Sequence, residues 1–367
     1  MSFLTRRKAL PALGGAARKV DGLKPTLSWP HLVALGVGAI VGTGIYTLIG
    51  VGAERAGPAV MLAFVIAGIV CVCAALAYAE LATMIPESGS AYTYSYTTLG
   101  EGAAWMVGWS LILEYTVVCS AVAVGWAGYF SGMMEGIGMG LPAVLTSAPS
   151  QGGIVNLPAV VIVAAVAGLL VAGTKESASI NAALVVVKIA ALIAFVAIAL
   201  PHFNADNLKP FMPYGFSHGV GAQTGVMAAA AIIFFVMARD GLLPRSLAHV
   251  SKRSGGPVRV TAGTAVLMAI IAGFIPLGDL AALANAGTLA AFASVGLCLI
   301  VLRRREPSRP RVFRAPVWWL VGPIAIAGCI YLFFSLPAST QINFVIWNVI
   351  GVAVYLLYSR RSSLLNG

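Results

Sequence analysis

The sequence predicts an all-α, polytopic helical membrane protein with about ten transmembrane helices. Three observations predict it. Of 367 residues, 59% are hydrophobic and only 10% charged, too apolar a balance for soluble domains with hydrated surfaces. The apolar residues fall in long runs, and about 20 such residues cross a ~30 Å hydrocarbon layer as a helix that satisfies its own backbone. The cations collect in short blocks between the runs, so the net charge of +11 reads as a topology signal and excludes a nucleic-acid surface.

Taken in order, length, apolarity and flanking charge give spans at His31 to Ala53, Ala59 to Ala82, Gly102 to Gly132, Val155 to Gly173 and Ser179 to Leu200. Five more follow at Gly221 to Ala238, Val260 to Leu277, Leu283 to Leu302, Trp318 to Leu336 and Gln341 to Tyr358. With the N-terminus in the cytoplasm, only Arg55 and Lys209 of the 23 Lys and Arg fall outside and Lys188 falls within a span, leaving 20 inside. One missed or invented helix would invert every later loop, so this bias supports an even count with both termini cytoplasmic. The chain divides into a tail at 1–28, a transmembrane domain at 29–358 and a tail at 359–367. Trp29, Trp105, Trp318 and Trp347 lie near span ends, as interfacial anchors do. The basic start leads into a polar stretch from Lys24 to Ser28 and then a full-length span, so no cleavable signal peptide is expected.

The first span holds four glycines in nine residues, Gly36, Gly38, Gly42 and Gly44, at about mid-membrane. Glycine weakens a helix there, and a break leaves amides at a half-helix start that suit an anionic group such as a carboxylate. Glycines at such spacings also serve close helix packing, and glycine content alone leaves both readings open. Glu114 in the third span and Lys188 in the fifth are the deep ionisable residues. Burying either charge costs roughly 2.5–3.5 kcal/mol on insertion scales, so such groups turn inward and serve ions, protons or polar substrates. Desolvation favours proton release from a lysine, which makes Lys188 a candidate coupling group. Glu114 fits a structural hydrogen bond equally well.

The stretch Pro86 to Tyr96 is too polar to span and reads as a re-entrant or interfacial segment, with an interfacial aromatic belt the plainer alternative. All five cysteines lie in apolar runs, where a thiol acts as a small hydrophobe, and the four histidines have no ligand-like spacing. No disulfide framework, metal or cofactor is expected. No nucleophile elbow, P-loop or HExxH pattern occurs, which argues against an enzyme.

The runs Gly38 to Tyr46, Pro86 to Glu101, Gly108 to Tyr115 and Phe235 to Pro244 together resemble a bacterial member of the cationic amino acid transporter family, within the amino acid, polyamine and organocation superfamily. The resemblance covers nearly the whole chain. It implies two inverted five-helix repeats, with the first and sixth helices broken around an amino acid substrate. It implies that backbone at Gly42, Thr43 and Gly44 holds the substrate carboxylate, with Ile40 and Glu114 nearby. It also implies that Lys188 stands where proton-coupled relatives use a lysine in place of a sodium ion. The implied activity is secondary active, proton-coupled amino acid permeation by alternating access in the bacterial plasma membrane.

The chain departs from the family pattern at one place. Ala231 to Phe235 runs straight into Val236 to Asp240, which looks like the end of the family's eighth helix. An internal deletion with its junction near 234–236 would remove two crossings and keep later loops on their side. Half the implied site would go with it, so a second expectation is a shortened, non-transporting protein, or one that depends on an oligomer or helper subunit.

Overall fold

The computed structural model describes residues 7–8, 33, 41–42, 45–46, 49–87, 89–172, 178–216, 225–231 and 258–359. Among them the helices are α1 (Ile49–Ala56), α2 (Val60–Met84), α3 (Ser90–Thr98), α4 (Glu101–Gly136) and α5 (Leu157–Ala172), followed by α6 (Ala178–Ala199), α7 (Val258–Phe274), α8 (Leu277–Arg305), α9 (Trp318–Phe334) and α10 (Ala338–Val354). No strand occurs among the described residues. Eight of the ten expected spans coincide with α2 and α4 to α10; the first and sixth lie largely outside the described residues. Five helical stretches are long and apolar enough to cross a membrane, and α5, α7 and α9 are shorter apolar helices.

The span boundaries have local causes. Pro276 caps α8, which starts at Leu277, so the helix takes in residues 278–282, where a connecting loop was expected. Asp279 in its first turn and Arg303, Arg304 and Arg305 in its last complement the helix dipole.

The expected loop at Pro86 to Tyr96 contains helix α3, folded between α4 and α8. It enters through Gly89 (φ +123) and hands over to α4 through Gly100 (φ +127), a conformation glycine alone adopts freely. Ser90, Thr93, Ser95, Thr97 and Thr98 are buried, and Thr97 donates to the Thr93 and Tyr94 carbonyls at 3.0 and 3.1 Å. An aromatic belt at the interface does not describe this segment, because most of its residues are inside the protein.

Helices α4 and α8 form the central pair. On one side α8 meets α2, α3 and α9; on the other α4 meets α5 and α7. In the mostly apolar α2, the buried face is built largely of alanine. Ala63, Ala67, Val70, Ala74, Ala77, Leu81 and Met84 recur at alternate spacings of four and three and are buried, while Met61, Val65, Ile69 and Val72 point outward. Small residues inside and branched ones toward lipid is how membrane helices approach closely.

Helix α10 docks on α4 through aromatic side chains. Trp109 and Trp347 stack with ring centroids 4.8 Å apart, and each indole N–H donates to the other's backbone carbonyl, at 2.8 and 3.0 Å. Trp105 donates to the Gly351 carbonyl at 2.8 Å. A Cβ at Gly351 would lie 2.4 Å from the Trp109 ring, which its hydrogen bond holds in place. Gly351→Ala is therefore expected to lower stability by about 1–3 kcal/mol, read from unfolding in detergent, as overpacking does.

Helix α6 contrasts with the rest. Among the described residues its one substantial set of contacts is with the turn that follows it, Leu200–His202, and Val186, Val187, Ile193, Phe195 and Ile198 are all exposed.

Candidate functional site

The glycine-rich first span departs from α-helical geometry at residues 41–42 and 45–46, while Val33 and the residues from Ile49 onward are α-helical. Residues 41 and 42 form a bend, and the Gly42 carbonyl accepts from both the Ile45 and Tyr46 amides, at 3.1 and 3.2 Å. One carbonyl shared by two successive amides marks a helix start rather than a continuous run. The Tyr46 hydroxyl donates to the Lys188 carbonyl at 2.8 Å, and Tyr129 of α4 donates to the Tyr46 carbonyl. The bend is thereby tied to α6 at Lys188 and to α4. Ile40, Thr43 and Gly44 lie outside the described residues.

Glu114 lies in the middle of α4 and is buried, and its Oε2 is enclosed with no hydrogen-bond partner. Thr288 of α8, whose hydroxyl donates to the Ala284 carbonyl at 3.2 Å, and Tyr78 of α2 lie within electrostatic reach of the carboxyl group. Gly287 brings α8 this close, since a Cβ there would sit 2.9 Å from Glu114 Cβ and 3.0 Å from the Ser110 carbonyl. An enclosed carboxyl oxygen without a partner is costly, and such atoms gather where a ligand or proton is handled. The structure thus joins Gly42 to Lys188 through Tyr46, whereas the described partners of Glu114 belong to α2 and α8. Lys188 itself is half-buried, between the exposed Val187 and Ile189 of α6.

A second polar centre escaped the sequence reading. Glu80, near the end of α2, is 1% exposed and accepts from Arg303 of α8 at 2.7 Å, Arg311 at 2.9 Å and the Ala315 amide at 2.8 Å. The Arg303 guanidinium also lies 5.9 Å from the Trp318 ring centroid. Burial foremost, then the like charge of Arg303, holds the Arg311 guanidinium below its ordinary pKa, while Glu80 acts the other way. The one available signal was a glutamate inside the last turn of a span. Its partners are 223 and 231 residues away in sequence. Among the described residues no group of three His, Cys, Asp or Glu could hold a metal ion.

The sequence model of a family described as amino acid permease matches residues 27–222 and 214–358. The chain is 36% identical to a methylthioribose transporter of Bacillus subtilis, with all of both chains covered. It is 34% identical to the branched-chain amino acid permease BcaP of the same organism, over 98% of each chain. It is 30% identical to a vacuolar cationic amino acid transporter of Arabidopsis thaliana, over 83% of this chain and 64% of that one. The first alignment runs over 461 positions while this chain has 367 residues, so about 94 positions (461 less 367) have no counterpart here. Matched along nearly its whole length, the chain belongs to the amino acid permease family.

Proposed function

We propose that this chain is a secondary active amino acid permease of the bacterial plasma membrane, multi-pass with both termini cytoplasmic, working by alternating access and coupled to protons. The observation that carries the reading is the bend at Gly42, held beside Lys188 through the Tyr46 hydroxyl. Amides freed at such a break suit a substrate carboxylate, and Ile40, Gly42, Thr43, Gly44 and Glu114 form the binding set. Lys188 is the coupling group, since a cation at membrane depth can trade its charge against a proton. Family membership and the relatives' names support a transporter with an amino acid substrate.

Thermal shift on the purified chain tests the reading, with branched-chain and cationic amino acids and methylthioribose as candidate ligands. Stabilisation by at least one is expected in the wild type and is expected to vanish in Thr43→Trp, which fills the break. A ligand at 100 times its Kd raises stability by about 2.7 kcal/mol, enough to read as a shifted midpoint. Uptake into proteoliposomes under an imposed pH gradient then tests transport, and no accumulation of any ligand would refute it for this chain.

A second reading is favoured by α6. From Val186 onward most described side chains of the helix that carries Lys188 are exposed, and alignment to a relative that matches the chain end to end runs about 94 positions longer than this chain (461 less 367). An internal deletion near 234–236, outside the described residues, would remove helices that cover α6. The chain would then transport only in an oligomer or with a helper subunit. A detergent-solubilised monomer that binds an amino acid as tightly as its relatives would exclude this.

A further inference from the structure

We propose that the surface made by the end of α8, the loop at 306–317 and Arg7 binds the headgroup of an anionic phospholipid. Residues 303–314 contain six arginines. Arg303 and Arg311 are consumed by Glu80. Arg304, Arg305 and Arg314 are exposed, and among the described residues no carboxylate lies within ion-pair distance of any of them. Arg305 is fixed by donating to the Thr98 carbonyl at 3.1 Å, and the amide of Lys8, next to Arg7, donates to the Tyr96 carbonyl at 3.4 Å, so the like charges of Arg305 and Arg7 share the end of α3. Partial burial first, then this like charge, holds Arg7 below its ordinary pKa. Guanidiniums gathered at one helix end suit a phosphate, which each can bond bidentately.

Positive charge alone would serve topology. The apolar residues in the same surface point to lipid. Val312, between Arg311 and Phe313, is 91% exposed, a high cost for a loop tip in water. Phe313 packs inward on the core, Trp318 lies by Arg303, and Trp319 is exposed. Tryptophan beside arginine around an apolar tip is the composition of the headgroup zone. An anionic diacyl lipid fits this surface, its phosphate on Arg305 and shared with Arg7 and the exposed Arg314, and its chains beside Val312 and Trp319. The inference does not rest on transport or on which side of the membrane this end faces.

The test uses the full chain in nanodiscs of phosphatidylcholine with a rising fraction of phosphatidylglycerol. Phosphatidylglycerol is expected to raise the unfolding midpoint where phosphatidylcholine does not, and high salt is expected to weaken the effect. The triple variant R304S/R305S/R314S is expected to bind phosphatidylglycerol on the order of 100-fold more weakly, and R314S alone roughly fivefold more weakly. The single variant serves should the triple one fail to insert. Equal stabilisation by both lipids, an unchanged response in R314S, or a full response to inorganic phosphate without lipid would each overturn the proposal.

Discussion

Glu80→Ala is expected to lower stability by about 3–5 kcal/mol, because it leaves two guanidiniums without the carboxylate they share. Arg311 bears most of the loss. Its side chain is 1% exposed, so water cannot replace Glu80 around its Nε. The Ala315 amide loses its acceptor at the same time, which frees the loop leading to α9. Arg311→Met removes one cation and leaves Glu80 with Arg303, so it should cost less. The double variant Glu80→Met with Arg311→Met should recover part of the single Glu80 loss, since apolar side chains of similar volume often replace a buried pair at little cost. Unfolding of the wild type, Glu80→Met, Arg311→Met and the double variant in one detergent closes a double-mutant cycle, and additive losses would show that the pair does not couple.

Gly287→Val should have the next largest effect and should act on stability and ligand binding together. The added Cβ meets a backbone oxygen, Ser110 O, at 3.0 Å and cannot be accommodated by turning a side chain. Helices α4 and α8 must separate, at a cost of about 1–3 kcal/mol or more for the larger side chain. Glu114 then loses its alignment with Thr288, so amino acid stabilisation in thermal shift should fall even below the wild-type midpoint. Gly278→Ala is the control. Nothing lies within 4 Å of a Cβ there, and it should be neutral or slightly stabilising. Equal effects of the two variants would remove Gly287 from the site.

The spans were legible because hydropathy and loop charge are local properties. Helices α2 and α4 begin and end within a few residues of their expected bounds. Helix α3 was not legible, because its Ser, Thr and Tyr residues average to a polar loop and are buried only by helices distant in sequence. Glu114 announced itself as a charge in an apolar run, and the structure adds that its environment comes from Thr288 and Gly287. Glu80 sits one turn from a span end, where charge is unremarkable, and only folding shows that it faces Arg303 and Arg311. Glycine density left a break and close helix packing both open at Gly42, and the structure adds a bend there whose carbonyl accepts two successive amides.

The indole contacts between α4 and α10 also set an order of assembly. Helix α4 leaves the ribosome more than 200 residues before α10, so Trp105 and Trp109 reach the bilayer with their N–H groups unclaimed. Until the last helix arrives, those donors face lipid or borrowed partners. A chain that stops short of Trp347 therefore displays a persistent polar scar on α4, the kind of mark by which membrane quality control distinguishes unfinished proteins from completed ones.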